Sequence, residues 1–159
     1  MNLKIQNVRK TKVNTQWILS EASGLLIAFV FTYTAIAKIY DWQATRLAMY
    51  NQVIPDWSKD LLLYGIPLIE LIVAFMLLIP NWRKIGFLAS LILMLIFTGY
   101  VAWVWFGLAG RVPCSCGGII SSLTWGQHFV LNLGLIGISV LGLKLEVGKY
   151  GRVGSRSFQ

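Results

Sequence analysis

Both cysteines of the chain, Cys114 and Cys116, stand one residue apart in the stretch Val112-Pro113-Cys114-Ser115-Cys116-Gly117-Gly118. Two thiols at that spacing can bridge each other or grip one soft metal ion. A disulfide prefers Cα separations of roughly 5.5–6 Å and a narrow dihedral range, so such a small ring must bend to supply them. Strained and exposed bridges are the more easily reduced ones, and a loop this short gains little entropic stabilisation. The pair therefore suits electron transfer better than clamping. A structural bridge is one alternative. A Cu(I) or Zn site completed by His128 is another, but it offers only three ligands with no methionine cluster around them, and no metal is expected.

His128 and Asn132 follow one helical turn apart on one face, just after the cysteine loop. An imidazole near a thiol pair can lower a thiol pKa or carry its proton, although a lone histidine near a helix end is as readily a hydrogen-bonded structural residue. Lys38, Glu70 and Glu21 are ionisable groups inside or at the edge of apolar runs, where each costs several kcal/mol and so needs a reason. Glu21 and Lys38 lie about 25 Å apart on one helix and cannot meet. Lys38 and Glu70 can, from neighbouring helices. Such a pair either fixes helix register or forms a charge or proton site beneath the cysteines, and Lys38 could also reach out to the interface. Glu21 is expected to be interfacial and is assigned no function. Trp103, Trp105 and Trp125 read first as aromatic-belt residues, and only secondarily as a wall for a flat-ring cofactor.

These residues are carried by an apolar chain. Of 159 residues 57% are hydrophobic, charged residues make up 13%, and mean hydropathy is +0.67, which places the protein in the membrane class. Four apolar runs appear: Ile18–Ile39, Leu61–Ile79, Ile85–Leu108, and one from about Leu123 to Leu143. The first, 22 residues long, would rise about 33 Å as a helix, enough to cross a hydrocarbon core. It is long for the apolar region of a signal peptide and is expected to be a retained helix. The fold expected is an all-α, four-helix transmembrane bundle over residues 17–143. A basic segment (1–16) precedes it and a basic tail (144–159), expected to be frayed, follows it. Residues 40–60 read as an interfacial loop with a short surface helix.

Two stripes in steps of three and four predict the buried faces. Glu21, Gly24, Ala28, Phe31, Ala35 and Lys38 share one on the first helix. Trp125, His128, Asn132, Leu135, Ser139 and Gly142 share one on the last. Gly134, Gly137 and Gly142 read as packing residues.

The net charge of +8 does not point to nucleic acid, because the basic residues flank apolar runs. Residues 1–16 hold four, the Arg83-Lys84 turn two and the tail four, which is ten of the fourteen. By the positive-inside rule both termini are cytoplasmic and the cysteine loop faces outward. In a bacterium that side is the oxidising periplasm, where a disulfide persists.

Several motifs together resemble the MauE/DoxX family of small membrane proteins. The first helix ends in Ala37-Lys38-Ile39-Tyr40-Asp41-Trp42, and Tyr50-Asn51 and Pro55 follow in the loop. Pro67-Leu68-Ile69-Glu70-Leu71 opens the second span, and a Cys114-x-Cys116-Gly117 turn precedes the fourth. The resemblance covers about 18–143. The Cys-x-Cys favours the MauE branch, whose usual Cys-Phe-Gly ending is Cys116-Gly117-Gly118 here. It implies a redox role: disulfide formation in methylamine dehydrogenase maturation for MauE-like proteins, quinone-linked sulfur oxidation for DoxX-like ones. By position, Cys114 and Cys116 become the redox pair, with Lys38 and Glu70 as polar residues inside the bundle.

The expected function is a thiol–disulfide oxidoreductase of a bacterial inner membrane. It would exchange electrons between a periplasmic thiol or disulfide protein and a membrane carrier such as quinone. No sequence motif defines a quinone site. The rival is a non-enzymatic accessory subunit of a larger membrane complex whose Cys-x-Cys merely shapes a loop. Soft-metal handling is the third reading.

Overall fold

The computed structural model describes residues 2–109 and 124–154, with side chains over 15–109 and 124–148. Cys114 and Cys116 lie outside the described residues. What is described is helical: α1 (Asn2–Tyr40), α2 (Trp42–Tyr50), α3 (Asp56–Leu78), α4 (Arg83–Trp105) and α5 (Trp125–Gly154). Four of them hold stretches long and apolar enough to cross a membrane: Thr15–Tyr40, Asp56–Leu78, Arg83–Trp105 and Trp125–Gly148. This is the expected four-helix transmembrane bundle, with α2 as the short surface helix.

The helices form a four-sided arrangement. α1 packs on α3 and α5, α4 packs on α5 and α3, and the diagonal pair α1 and α4 barely touch. Lipid tails are as apolar as the side chains, so the bundle is held by close packing and polar contacts rather than by exclusion from water. The packed layer is built from Ile27, Phe31, Leu77 and Phe87, all nearly inaccessible, with Ala28 and Ala74 letting the backbones approach. Gly86 and Gly142 serve the same end. A Cβ on Gly86 would lie 3.0 Å from the Leu77 backbone nitrogen, and one on Gly142 2.2 Å from the Phe87 ring. Gly134 and Gly137 differ: nothing stands within 4 Å of where their Cβ would be, so within this chain they are not packing residues.

Both predicted stripes face inward. Gly24, Ala28, Phe31 and Ala35 are buried on α1, and Leu135, Ser139 and Gly142 on α5. The Ser139 and Ser90 hydroxyls lie 3.2 Å apart where α5 crosses α4.

Two helices run past their apolar spans. α1 begins at Asn2, and residues 2–16 hold neither Gly nor Pro to stop it. α5 runs to Gly154 where a frayed tail was expected from residue 144. Glu146 explains the extension. It is 3% exposed and accepts a hydrogen bond from Ser20 Oγ at 2.5 Å, which ties the last turns of α5 to α1.

α2 is fixed to α3 by charge. Its N-cap is Asp41, whose side chain accepts from the Ala44 amide at 3.2 Å. Lys59 of α3 is buried, donates to the Tyr50 carbonyl at 3.1 Å and pairs with Asp56 at 2.6 Å. The Tyr50 hydroxyl donates to Asp60 at 2.6 Å, and that bond holds the phenol above its usual pKa.

Candidate functional site

α1 and α4 end, and α3 and α5 begin, at the same end of the bundle, and α2 closes it from the side. The packed layer does not extend there. Instead side chains of all five helices surround a partly open cavity of about 460 Å³. Its wall is mostly apolar, with Phe31, Leu63, Met94 and Leu135 among its surfaces. Pro67 is also in the wall. It has no N–H for the Leu63 carbonyl one turn earlier, which leaves a gap in the α3 hydrogen-bond ladder beside the cavity.

Set into this wall is the Lys38–Glu70 pair. The Lys38 ammonium donates to both oxygens of Glu70, at 2.6 and 2.9 Å. The Glu70 side chain is 3% exposed and that of Lys38 30%, so the carboxylate is the buried partner and the ammonium the one nearer the open side. An ammonium has three donors, and two are used on Glu70. The charges cancel, and the cavity carries a strong local dipole but no net charge from this pair.

The other polar members of the wall come from four helices, with Thr34 the one from α1. His128 and Asn132 enter from α5, with Trp125 one turn before His128. Tyr100 of α4 donates its hydroxyl to Gln52 at 2.7 Å, joining α4 to the end of the α2 segment. Thr45 of α2 is 8% exposed, and its Oγ1 has no hydrogen-bond partner. Leaving a buried hydroxyl unsatisfied costs roughly 1–3 kcal/mol.

Lys38, Glu70, His128, Asn132 and Trp125, all singled out from the sequence, thus share one cavity. Trp103 and Trp105 do not line it. Trp103 packs against Tyr100 with ring centroids 6.0 Å apart, and Trp105 against Phe129 at 5.6 Å and Phe106 at 5.3 Å. Both are substantially exposed. Thr45, Gln52 and Tyr100 were missed. Spacing alone does not signal them, because a threonine or glutamine in a polar loop is unremarkable until its neighbours are known. Among the described residues no group of three or more His, Cys, Asp or Glu could hold a metal ion. The cysteine segment falls between Ala109 and Thr124, the described chain ends nearest this cavity in sequence.

A second polar cluster sits at the opposite end. Arg83, 5% exposed, forms an ion pair with Glu21 and donates from Nε to the Leu77 carbonyl at 3.0 Å. Its Nη1 lies 3.7 Å from Glu146, which Ser20 also holds. Glu21 is therefore a member of a partly buried network joining α1, α4 and α5. Nothing in its spacing from Arg83, 62 positions away, signals this.

The fold and the cavity define a multi-pass membrane protein with a mostly apolar hollow, carrying a few polar side chains, at one end of a four-span bundle. A family model described as methylamine utilisation protein MauE matches residues 15–145. That is most of the chain, and the protein belongs to this family. No curated protein and no solved structure matches it.

Proposed function

We propose that the protein is a membrane thiol–disulfide relay, exchanging electrons through Cys114 and Cys116 with a partner protein on the periplasmic side. The observation that carries this reading is the cavity holding Lys38, Glu70 and His128 at the end of the bundle to which the cysteine-bearing segment connects. The orientation rests on the charge bias: the Arg83-Lys84 turn and both basic termini are cytoplasmic, so the Lys38 end faces the periplasm. Family membership supports a role in a methylamine-utilisation system, with the partner a protein matured there.

In the oxidising direction a partner thiolate attacks the Cys114–Cys116 bridge and forms a mixed disulfide. The partner's second thiol then displaces it, leaving the partner oxidised and the pair reduced to two thiols. Two electrons and two protons have moved, and a membrane-soluble two-electron acceptor returns the pair to its bridge. The reducing direction is the same sequence reversed. The attacking group is a thiolate, and a positive or proton-accepting group beside it, with His128 the candidate, would favour that form.

The test is the redox state of partner thiols in cells carrying Cys114→Ser or Cys116→Ser. The relay predicts that each variant changes the fraction of oxidised partner thiols. It also predicts that one of the two accumulates a mixed disulfide visible on a non-reducing gel. Unchanged thiol traffic in both variants contradicts it and favours an accessory subunit with a structural loop.

A further inference from the structure

We propose that α2 is a lid on the cavity, latched shut by the Gln52 amide between α4 and the last turn of α2. The proposal goes beyond the relay reading and does not rest on it, because it concerns only access to the hollow.

A fixed wall would be pinned by buried side chains, and α2 is not. Of its nine residues Thr45 alone is buried. Among the described residues its backbone comes close to α1 and α3 but not to α4 or α5. Thr45, Ala48 and Met49 nevertheless line the hollow, so α2 closes a side of it without being packed into the bundle. Elements with few buried contacts are the ones that open locally at least cost.

The one buried residue works against closure. Thr45 Oγ1 is shut off from water and has no hydrogen-bond partner. That penalty lasts only while α2 lies against the cavity, because turning the helix outward gives the hydroxyl polar surroundings.

The two ends of α2 set the axis of such a turn. At the first, the chain leaves the helical conformation at Asp41, with φ −102° and ψ 65°. At the second, Lys59 and Asp60 of α3 hold the Tyr50 carbonyl and hydroxyl. The latch lies just beyond. Gln52 Oε1 accepts from the Tyr100 hydroxyl of α4 at 2.7 Å, while its Nε2 donates to the Ala48 carbonyl at 3.1 Å. One amide thus ties the cavity-lining turn of α2 to a helix that its backbone does not approach. Both bonds are neutral and individually modest, which suits a contact that must break and re-form. Such a lid admits a ligand when open and shields the Lys38–Glu70 pair from water when shut.

The test places Met94→Cys, a cavity-lining position 5% exposed, in the full chain. Its rate of alkylation by N-ethylmaleimide in detergent is read by peptide mass spectrometry, which resolves it from the two native cysteines. Tyr100→Phe and Gln52→Ala should each raise that rate about tenfold, as loss of one neutral hydrogen bond allows. The two together should be no faster than either alone, because both break the same bridge. Thr45→Val should lower the rate about tenfold, since it removes the penalty of the closed position. Ala74→Cys, in the packed layer and 3% exposed, should react equally slowly in every background, which separates a lifted lid from a loosened bundle. Rates unmoved by the latch variants, additive effects in the double variant, faster labelling shared by Ala74→Cys, or a rate that Thr45→Val does not lower would each overturn the lid.

Discussion

At the scale of single residues, the most informative contact is Lys38–Glu70. An ion inside an apolar run demands a partner, which is why both residues could be picked from the sequence before any geometry was known. Their distances of 2.6 and 2.9 Å show that demand met. Breaking such a pair from one side leaves an uncompensated buried charge and costs about 3–5 kcal/mol, whereas replacing both members by apolar groups is often close to neutral. Lys38→Met should therefore destabilise the protein by about 3 kcal/mol, at the low end because Lys38 is partly exposed. Lys38→Met/Glu70→Met should recover most of that. Thermal unfolding in detergent reads these together with Glu70→Met, and a double-variant loss equal to the sum of the two single losses would show that the two side chains are not coupled. Thr45 marks the opposite case. Its lack of a partner is a property of three-dimensional neighbours, and no pattern of residue types could have announced it.

At the scale of helices, periodicity revealed which residues share a face but not what each face meets. The α5 stripe was legible because Trp125, His128, Asn132, Leu135, Ser139 and Gly142 recur in steps of three and four. The different fates of the α5 glycines were not. Gly142 lies against Phe87, a fully buried ring, whereas Gly134 and Gly137 border open space. Gly142→Ala should therefore cost about 1–3 kcal/mol by overpacking. Gly134→Ala and Gly137→Ala should be neutral or raise stability by up to about 1 kcal/mol through helix propensity. Unfolding midpoints of the three variants check this, and a uniform response would contradict the packing described. The length of α5 was misjudged for a related reason. Lys144 and the basic residues beyond it look like a solvated tail, and the acid among them, Glu146, gave no hint that Ser20 and Arg83 bury it.

At the scale of the whole molecule, the two ends of the bundle are built differently. The Arg83 end is closed, with Phe87, Leu77 and Ile27 packed above a network of one arginine and two glutamates. The Lys38 end is hollow and is where the cysteine-bearing connection joins. Composition and the spacing of apolar runs made the membrane class and the four spans legible, because a helix must be about twenty apolar residues long to cross. The hollow was not legible, since it arises from which helices face one another. Such an asymmetric bundle is what the proposed relay asks for, an open end for chemistry and a closed end that holds the helices in register. The measurement that tests this account most directly is the redox state of Cys114 and Cys116 in intact membranes. Cells would be quenched in acid and the thiols labelled with a large maleimide, with and without prior reduction, in quinone-replete and quinone-depleted cultures. The account predicts a bridged pair in replete cells and free thiols accumulating on depletion. A pair in the same state under both conditions would contradict it.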